Sequence, residues 1–344
     1  MIKKVIRLFA LLLILGLGAG AWFYYKVLSP AVVATSAEAV HVAFPTGSSY
    51  AQVEAILDEA GLIPDLATFR MLAERMNYRK TNMRTGRFAI EPGMTVVDMI
   101  RHLRNGKQAP VAVVLTTERE PENVAAKAAR FIEPDSTALV ALMQNAAYID
   151  SLGYNKATLM TLFIPNTYEF FWNTTPRGFM ERMVKEHDAF WNKDNRKDKA
   201  AALGLTPEEV YTLASIVEKE TLRNEEKKRM AGVYYNRIQT GMPLQADPTA
   251  VFASRDFNTT RVTNYHLSVD SPYNTYRYAG LPPGPIAMAS IASIDAVLNL
   301  ESHDYLYFCA AGDGSGLHNF AKTLAAHNQN AALYRENLRK RGLR

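Results

Sequence analysis

The sequence predicts an α+β protein behind one N-terminal membrane-spanning helix, with a small strand–helix subdomain followed by a larger mixed α/β domain. Three observations predict it. Leu8 to Tyr25 is an uncharged, largely apolar run. A short apolar strand, a glycine turn and a helix with a hydroxyl residue at its start occur twice before Ala109. Beyond Val111, stretches with the helical period alternate with a β-branched run and with loops rich in proline and glycine.

The apolar run follows Lys3, Lys4 and Arg7 and ends in Trp22-Phe23-Tyr24-Tyr25. As a helix it spans roughly 27 Å, close to the hydrocarbon core of a bilayer. The aromatic cluster falls where an interfacial belt sits, and the positive charge on the short side predicts a cytoplasmic N-terminus with the rest of the chain outside. Ala19-Gly20-Ala21 resembles a cleavage site, so a removed signal peptide is the competing reading. The length of the run favours an uncleaved anchor, and both readings export the protein. The expected organisation is a cytoplasmic tail and anchor over 1–26, a tether over 27–40, the strand–helix subdomain over 41–110, and a larger domain over 111–344.

Composition excludes little more. Of 344 residues, 48% are hydrophobic and 21% charged, which is ordinary for a globular chain of two domains. The net charge of +5 is diffuse, and its densest cluster, Lys193 to Lys199, is broken by Asp194 and Asp198. With no basic stripe interleaved with aromatics, nucleic acid is not an expected partner. One cysteine, Cys309, can form no internal disulfide. The seven histidines are scattered, so neither a metal site nor a cofactor is expected.

"FPTGSSYAQVEAIL" (Phe44 to Leu57) and "IEPGMTVVDMIRHL" (Ile90 to Leu103) set Ser49 and Thr95 to cap the helices that follow. Such a pair of units is either a spacer or a carbohydrate-binding module like the lysin motif. "VAVVLTT" (Val111 to Thr117) predicts a strand, and helical periods follow through Gly153. "LFIPNTYEFFW" (Leu162 to Trp172) has no clean period and suits a loop or an aromatic wall. An amphipathic helix is expected from about Arg177 to Trp191.

Thr206-Pro207-Glu208-Glu209 is a strong helix start, a threonine cap with proline in the first turn and Glu209 completing a capping box. At about 100° per residue, Val210, Leu213, Ala214, Val217 and Thr221 share one face. Glu218 then lies about 90° to one side of that face and Glu220 about 70° to the other, with Lys219 outward. Either acid at such an edge could be desolvated enough to act as a general acid. Periodicity does not choose between them.

Four blocks, "ASIVEKET", "MPLQADPTAVF", "YNTYRYAGLPPGPI" and "YLYFCAAGDGSGLHNFAKTLAAHN", resemble in order and spacing those of the YceG-like family, the endolytic murein transglycosylases. The resemblance runs from roughly Val40 to Leu338. It implies a single-pass inner-membrane enzyme with a lysin-motif-like subdomain. Its catalytic domain, outside the membrane, would cut nascent peptidoglycan strands internally and leave anhydro-muramic acid ends, with peptidoglycan synthases as partners. Carried over residue by residue, it implies that Glu218 is the catalytic acid and Glu220 an accompanying edge residue. Gln245, Asp247, Asn274, Thr275 and Tyr276 would border the glycan groove, Gly280, Pro282, Pro283 and Gly284 would shape it, and His318 and Phe320 would close its far side. Met160, Thr161 and Asn166 depart from the family pattern, which has a glutamate, a glycine and an aspartate there. One glutamate suffices for a lytic cut, because the sugar's own C6 hydroxyl attacks C1. A hydrolase with Asp247 or Glu169 as second carboxylate, and a non-enzymatic glycan-binding scaffold, stay open as alternatives.

Overall fold

The computed structural model describes residues 2–28 and 38–343. Residues 29–37 of the expected tether lie outside them. Helix α1 (Ile2–Leu28) comes first, followed by β1 (Val40–Phe44), α2 (Tyr50–Glu59), α3 (Leu66–Arg75), β2 (Gly86–Ile90), α4 (Val96–Asn105) and β3 (Pro110–Leu115). Next are α5 (Pro121–Ala128), α6 (Ser136–Met143), α7 (Ala146–Ser151), a 3-10 turn (Leu159–Leu162), β4 (Asn166–Phe171), α8 (Pro176–Asn192), α9 (Arg196–Ala202) and α10 (Pro207–Glu220). The chain closes with α11 (Asn224–Gln239), α12 (Asp247–Ser254), α13 (Asn264–Ser268), α14 (Ile291–Leu298), β5 (Tyr307–Ala310), β6 (His318–Ala321) and α15 (Leu324–Lys340). The fold is mixed α+β, and among the described residues the strands pair two by two, β1 with β2, β3 with β4, and β5 with β6.

On α1 the apolar side chains described, from Ile6 to Trp22 with Tyr24, are exposed. Among the described residues no helix is long and apolar enough to cross a membrane. The chain divides into two compact units. The smaller holds Met1–Val113, Phe131–Pro134 and Glu169–Thr175, and the larger holds Val114–Arg130, Asp135–Tyr168 and Pro176–Arg344.

In the smaller unit β1 and β2 run antiparallel, with Val42 opposite Phe88 and Phe44 opposite Gly86. Alternation turns Val42, Phe44, Phe88 and Ile90 inward, where Val53 and Leu57 of α2 and Met99, Ile100 and Leu103 of α4 cover them. Burying each such side chain stabilises the unit by roughly 1.5–3 kcal/mol. Ser49 caps α2 in a full capping box and Thr95 caps α4 through Asp98 N, as the two repeated patterns predict.

The larger unit is built around α10. Its start is the predicted one, with Thr206 accepting from Glu209 N and Glu209 reaching back to the cap. Every residue from Val210 to Val217 is buried, so this helix has no solvent face along that stretch. Tyr211 Oη accepts from Ala289 N at 3.1 Å and donates to the Phe163 carbonyl, and Ser215 Oγ accepts from Ile286 N at 3.1 Å. These bonds fasten the end of the proline-rich loop to the central helix. This unit is mainly helical rather than a layered α/β domain.

The predicted amphipathic helix is α8. Leu162 to Trp172 differs from the expected loop, because strand β4 occupies Asn166–Phe171. Only Tyr168 and Phe170 point inward there, an alternation too short to stand out among prolines and aromatics.

Candidate active site

A cavity of about 530 Å³ opens at the C-terminal end of α10. Glu220, the helix's last residue, stands on its wall with Lys219, Asp247, Arg119, Arg261 and Phe257. Tyr234, on α11, donates to Glu220 Oε1 at 2.6 Å. Burial pushes the Glu220 carboxyl up to about 7; the Tyr234 hydrogen bond opposes that rise and the charge of Asp247 adds to it. A carboxyl with such a pKa holds a proton near neutrality and releases it readily, which suits general acid–base work.

Glu218 sits in a different environment. Its Oε2 accepts from Ser290 Oγ and Ser293 Oγ, each at 2.5 Å, and from Lys227 Nζ at 3.1 Å. Burial alone would raise its pKa, but these three donors outweigh burial and hold it below the usual carboxylate range. Lys227 is itself buried. Glu218 is thus an ion-paired strut joining α10 to α11 and to the start of α14, and it does not line the cavity. The resemblance instead implies Glu218 as the catalytic acid and Glu220 as an accompanying edge residue. Lys219, expected outward, is on the cavity wall, where burial first and Arg119 second lower its pKa.

The remaining expected site residues separate into two groups. Asp247, the first residue of α12, is on the cavity, and Tyr276 Oη donates to its Oδ1 at 2.6 Å. The others do not line the cavity. Asn274 is buried and its Nδ2 donates to the carbonyls of His266, Leu267 and Val269. Thr275 bonds Thr249 at 2.7 Å and accepts from Ala246 N, while Gln245, in the left-handed region at φ 50°, donates its N–H to the Thr275 carbonyl. Gly280 also has positive φ, 85°. Gly284 is buried where a Cβ would strike the Ala157 carbonyl oxygen, and of the two prolines Pro282 is buried and Pro283 exposed. His318 is tied to Glu226 through Nδ1 at 3.0 Å and through its backbone N–H at 2.7 Å. Phe320 packs on Phe308 and Tyr305. Neither His318 nor Phe320 reaches this cavity.

Glu169, the other candidate second carboxylate, lies on β4 and does not line the cavity. Met160 and Thr161 are buried in the 3-10 turn, and Asn166 begins β4. Sequence reasoning missed Arg119, Arg261, Phe257 and Tyr234. They come from separate stretches with no shared spacing, so no local pattern marks them. Among the described residues no group of three or more His, Cys, Asp or Glu side chains is arranged to hold a metal ion.

A helix-end carboxyl with a raised pKa thus stands in a cationic cavity of a helix-centred α+β unit. The chain matches the YceG-like family over residues 42–333 and belongs to it. It is 29% identical over 329 residues to the endolytic murein transglycosylase of Bacillus subtilis, covering 90% of this chain and 89% of that protein. The endolytic murein transglycosylase of Streptococcus pneumoniae is 27% identical over 349 residues, which cover 92% of this chain and 62% of that longer protein. The crystal structure of a YceG-like protein from Listeria monocytogenes matches with a TM-score of 0.57 at 28% identity, over 86% of this chain and 99% of that one.

Proposed function

We propose that this protein is an endolytic peptidoglycan lytic transglycosylase whose acid and base is Glu220. The observation that carries the assignment is the contrast between the two glutamates. Glu220 lines the cavity with a carboxyl raised to about 7, whereas Glu218 is ion-paired away from it. The names of the relatives support the reaction class.

Protonated Glu220 donates its proton to the oxygen linking muramic acid C1 to the next sugar, and the C1–O bond breaks. The muramic acid's C6 hydroxyl attacks C1 and gives its proton to the ionised Glu220, which is then ready for another cut. The products are a 1,6-anhydro end and a free hydroxyl, with no water consumed. Asp247, oriented by Tyr276, supplies negative charge where positive charge develops at C1. Lys219, Arg119 and Arg261 favour an anionic substrate.

The reading extends to the rest of the chain. The exposed apolar side chains of α1 and the basic residues before them support an uncleaved membrane anchor with the catalytic unit outside the membrane. The strand–helix–helix–strand order of β1, α2, α3 and β2 supports a lysin-motif-like glycan-binding role for the smaller unit.

The test is product analysis by mass spectrometry after incubation with purified peptidoglycan. Anhydro ends are expected. Reducing ends would instead favour a hydrolase using Asp247 as second carboxylate, and binding without fragments would favour a scaffold. Glu220→Gln should lower the rate by a factor on the order of a hundred to ten thousand. Glu218→Gln should keep the rate within about tenfold wherever the variant is folded. The reverse ranking would return the acid to Glu218.

A further inference from the structure

We propose that a second cavity of the larger unit holds the peptide substituent of the muramic acid being cut, an inference that rests on the transglycosylase reading above. This cavity has a volume of about 1040 Å³, within the range of small-ligand sites or slightly above it. It shares Arg119 and Phe252 with the cavity of Glu220, so a group attached to a sugar at the acid reaches it without leaving the surface.

Its lining fits a short peptide better than another sugar. Buried Met143, Ile149, Met160 and Pro285 form an aliphatic floor. Its aromatic rings are already engaged, Tyr154 with His187 and Tyr273 with Phe252 at 4.8 Å between centroids, so they offer no free platform for a sugar ring. Lys156 and Asp150 stand exposed on the wall, and among the described residues neither side chain has an ion-pair partner. The murein stem is a short peptide of small aliphatic residues bearing free carboxylates and an amine. Methyl groups match the aliphatic floor, while Lys156 and Arg119 match carboxylates and Asp150 an amine. The preference should appear as faster cutting of peptide-bearing strands than of bare glycan.

The test uses the full chain in detergent and two substrates, intact peptidoglycan and the same material stripped of peptides by an amidase. Ala147 is exposed on α7 and lines this cavity, so Ala147→Trp fills the space from a surface position. It should lower kcat/KM on peptide-bearing strands tenfold or more while changing it less than twofold on stripped strands. Lys156→Glu, at an exposed site, should act in the same direction by about three- to tenfold and carries the test if the tryptophan variant melts early. Equal losses on both substrates would mean that the cavity holds sugar, and no loss on either would mean that it holds nothing in the reaction. Both results overturn the proposal while the transglycosylase reading stands. Failure of the unsubstituted protein to cut either substrate would remove that reading and this proposal with it.

Discussion

Tyr234 donates its phenolic hydrogen to Glu220 Oε1 at 2.6 Å, tying the last residue of α10 to the middle of α11. The bond fixes one carboxyl oxygen, and the other has no hydrogen-bond partner within the chain among the described residues. It also moderates the rise that burial imposes on the Glu220 pKa, because a donor to the carboxylate favours the ionised form.

The rate should therefore have an alkaline limb near pH 7, since the reaction starts from protonated Glu220. Tyr234→Phe removes a group that lowers the Glu220 pKa and should move the limb to higher pH. Asp247→Asn removes a charge that raises it and should move the limb to lower pH. Shifts in the same direction would exclude this electrostatic account. The carboxyl is raised in the folded state, so its contribution to stability is fully present below the unfolded value of about 4.3 and is lost as pH rises through about 7. Thermal melts from pH 4 to 8, compared with Glu220→Gln, measure that loss.

Glu218→Gln should destabilise the fold, by about 2–4 kcal/mol at neutral pH, because it removes the ion-pair partner of buried Lys227. Glu218 is held below its ordinary pKa, so its contribution is present above the unfolded value and fades as pH falls through the folded one. The difference in Tm between the two proteins should shrink in acid.

Gly284→Ala should cost about 1–3 kcal/mol, because the new methyl group would meet the Ala157 carbonyl oxygen. Gly280→Ala meets open space, and its cost comes only from the left-handed backbone. Urea unfolding of the two variants should rank them in that order.

Asn274→Ala removes donors to three carbonyls at 2.9–3.2 Å, inside a site that is fully buried. A loss of about 2–4 kcal/mol is expected. Activity should fall with the folded fraction and KM should change little, as measured by kinetics below the melting range. A large rise in KM with no loss of stability would make Asn274 a substrate ligand instead.

Helix α10 shows where the sequence stops deciding. Thr206, Pro207 and Glu209 mark its start because capping depends on residues within one turn, and Ser49 and Thr95 do the same for α2 and α4. Asp247, expected on the groove from its block, lies on the cavity wall. The choice between Glu218 and Glu220 was not legible in the sequence, because Val210 to Val217 are buried on all sides and an amphipathic reading needs a solvent face.

The sequence by itself determined the caps that begin α2, α4 and α10, the amphipathic helix α8, and the blocks that carry the family. Tertiary structure alone decided which carboxylate meets the cavity. Ser290 and Ser293 come from 72 and 75 residues away to engage Glu218, while Tyr234 and Asp247, brought in by α11 and α12, shape the site of Glu220. Two acids placed alike by helical period thus acquire opposite pKa shifts, because desolvation and hydrogen bonding depend on neighbours in space rather than along the chain.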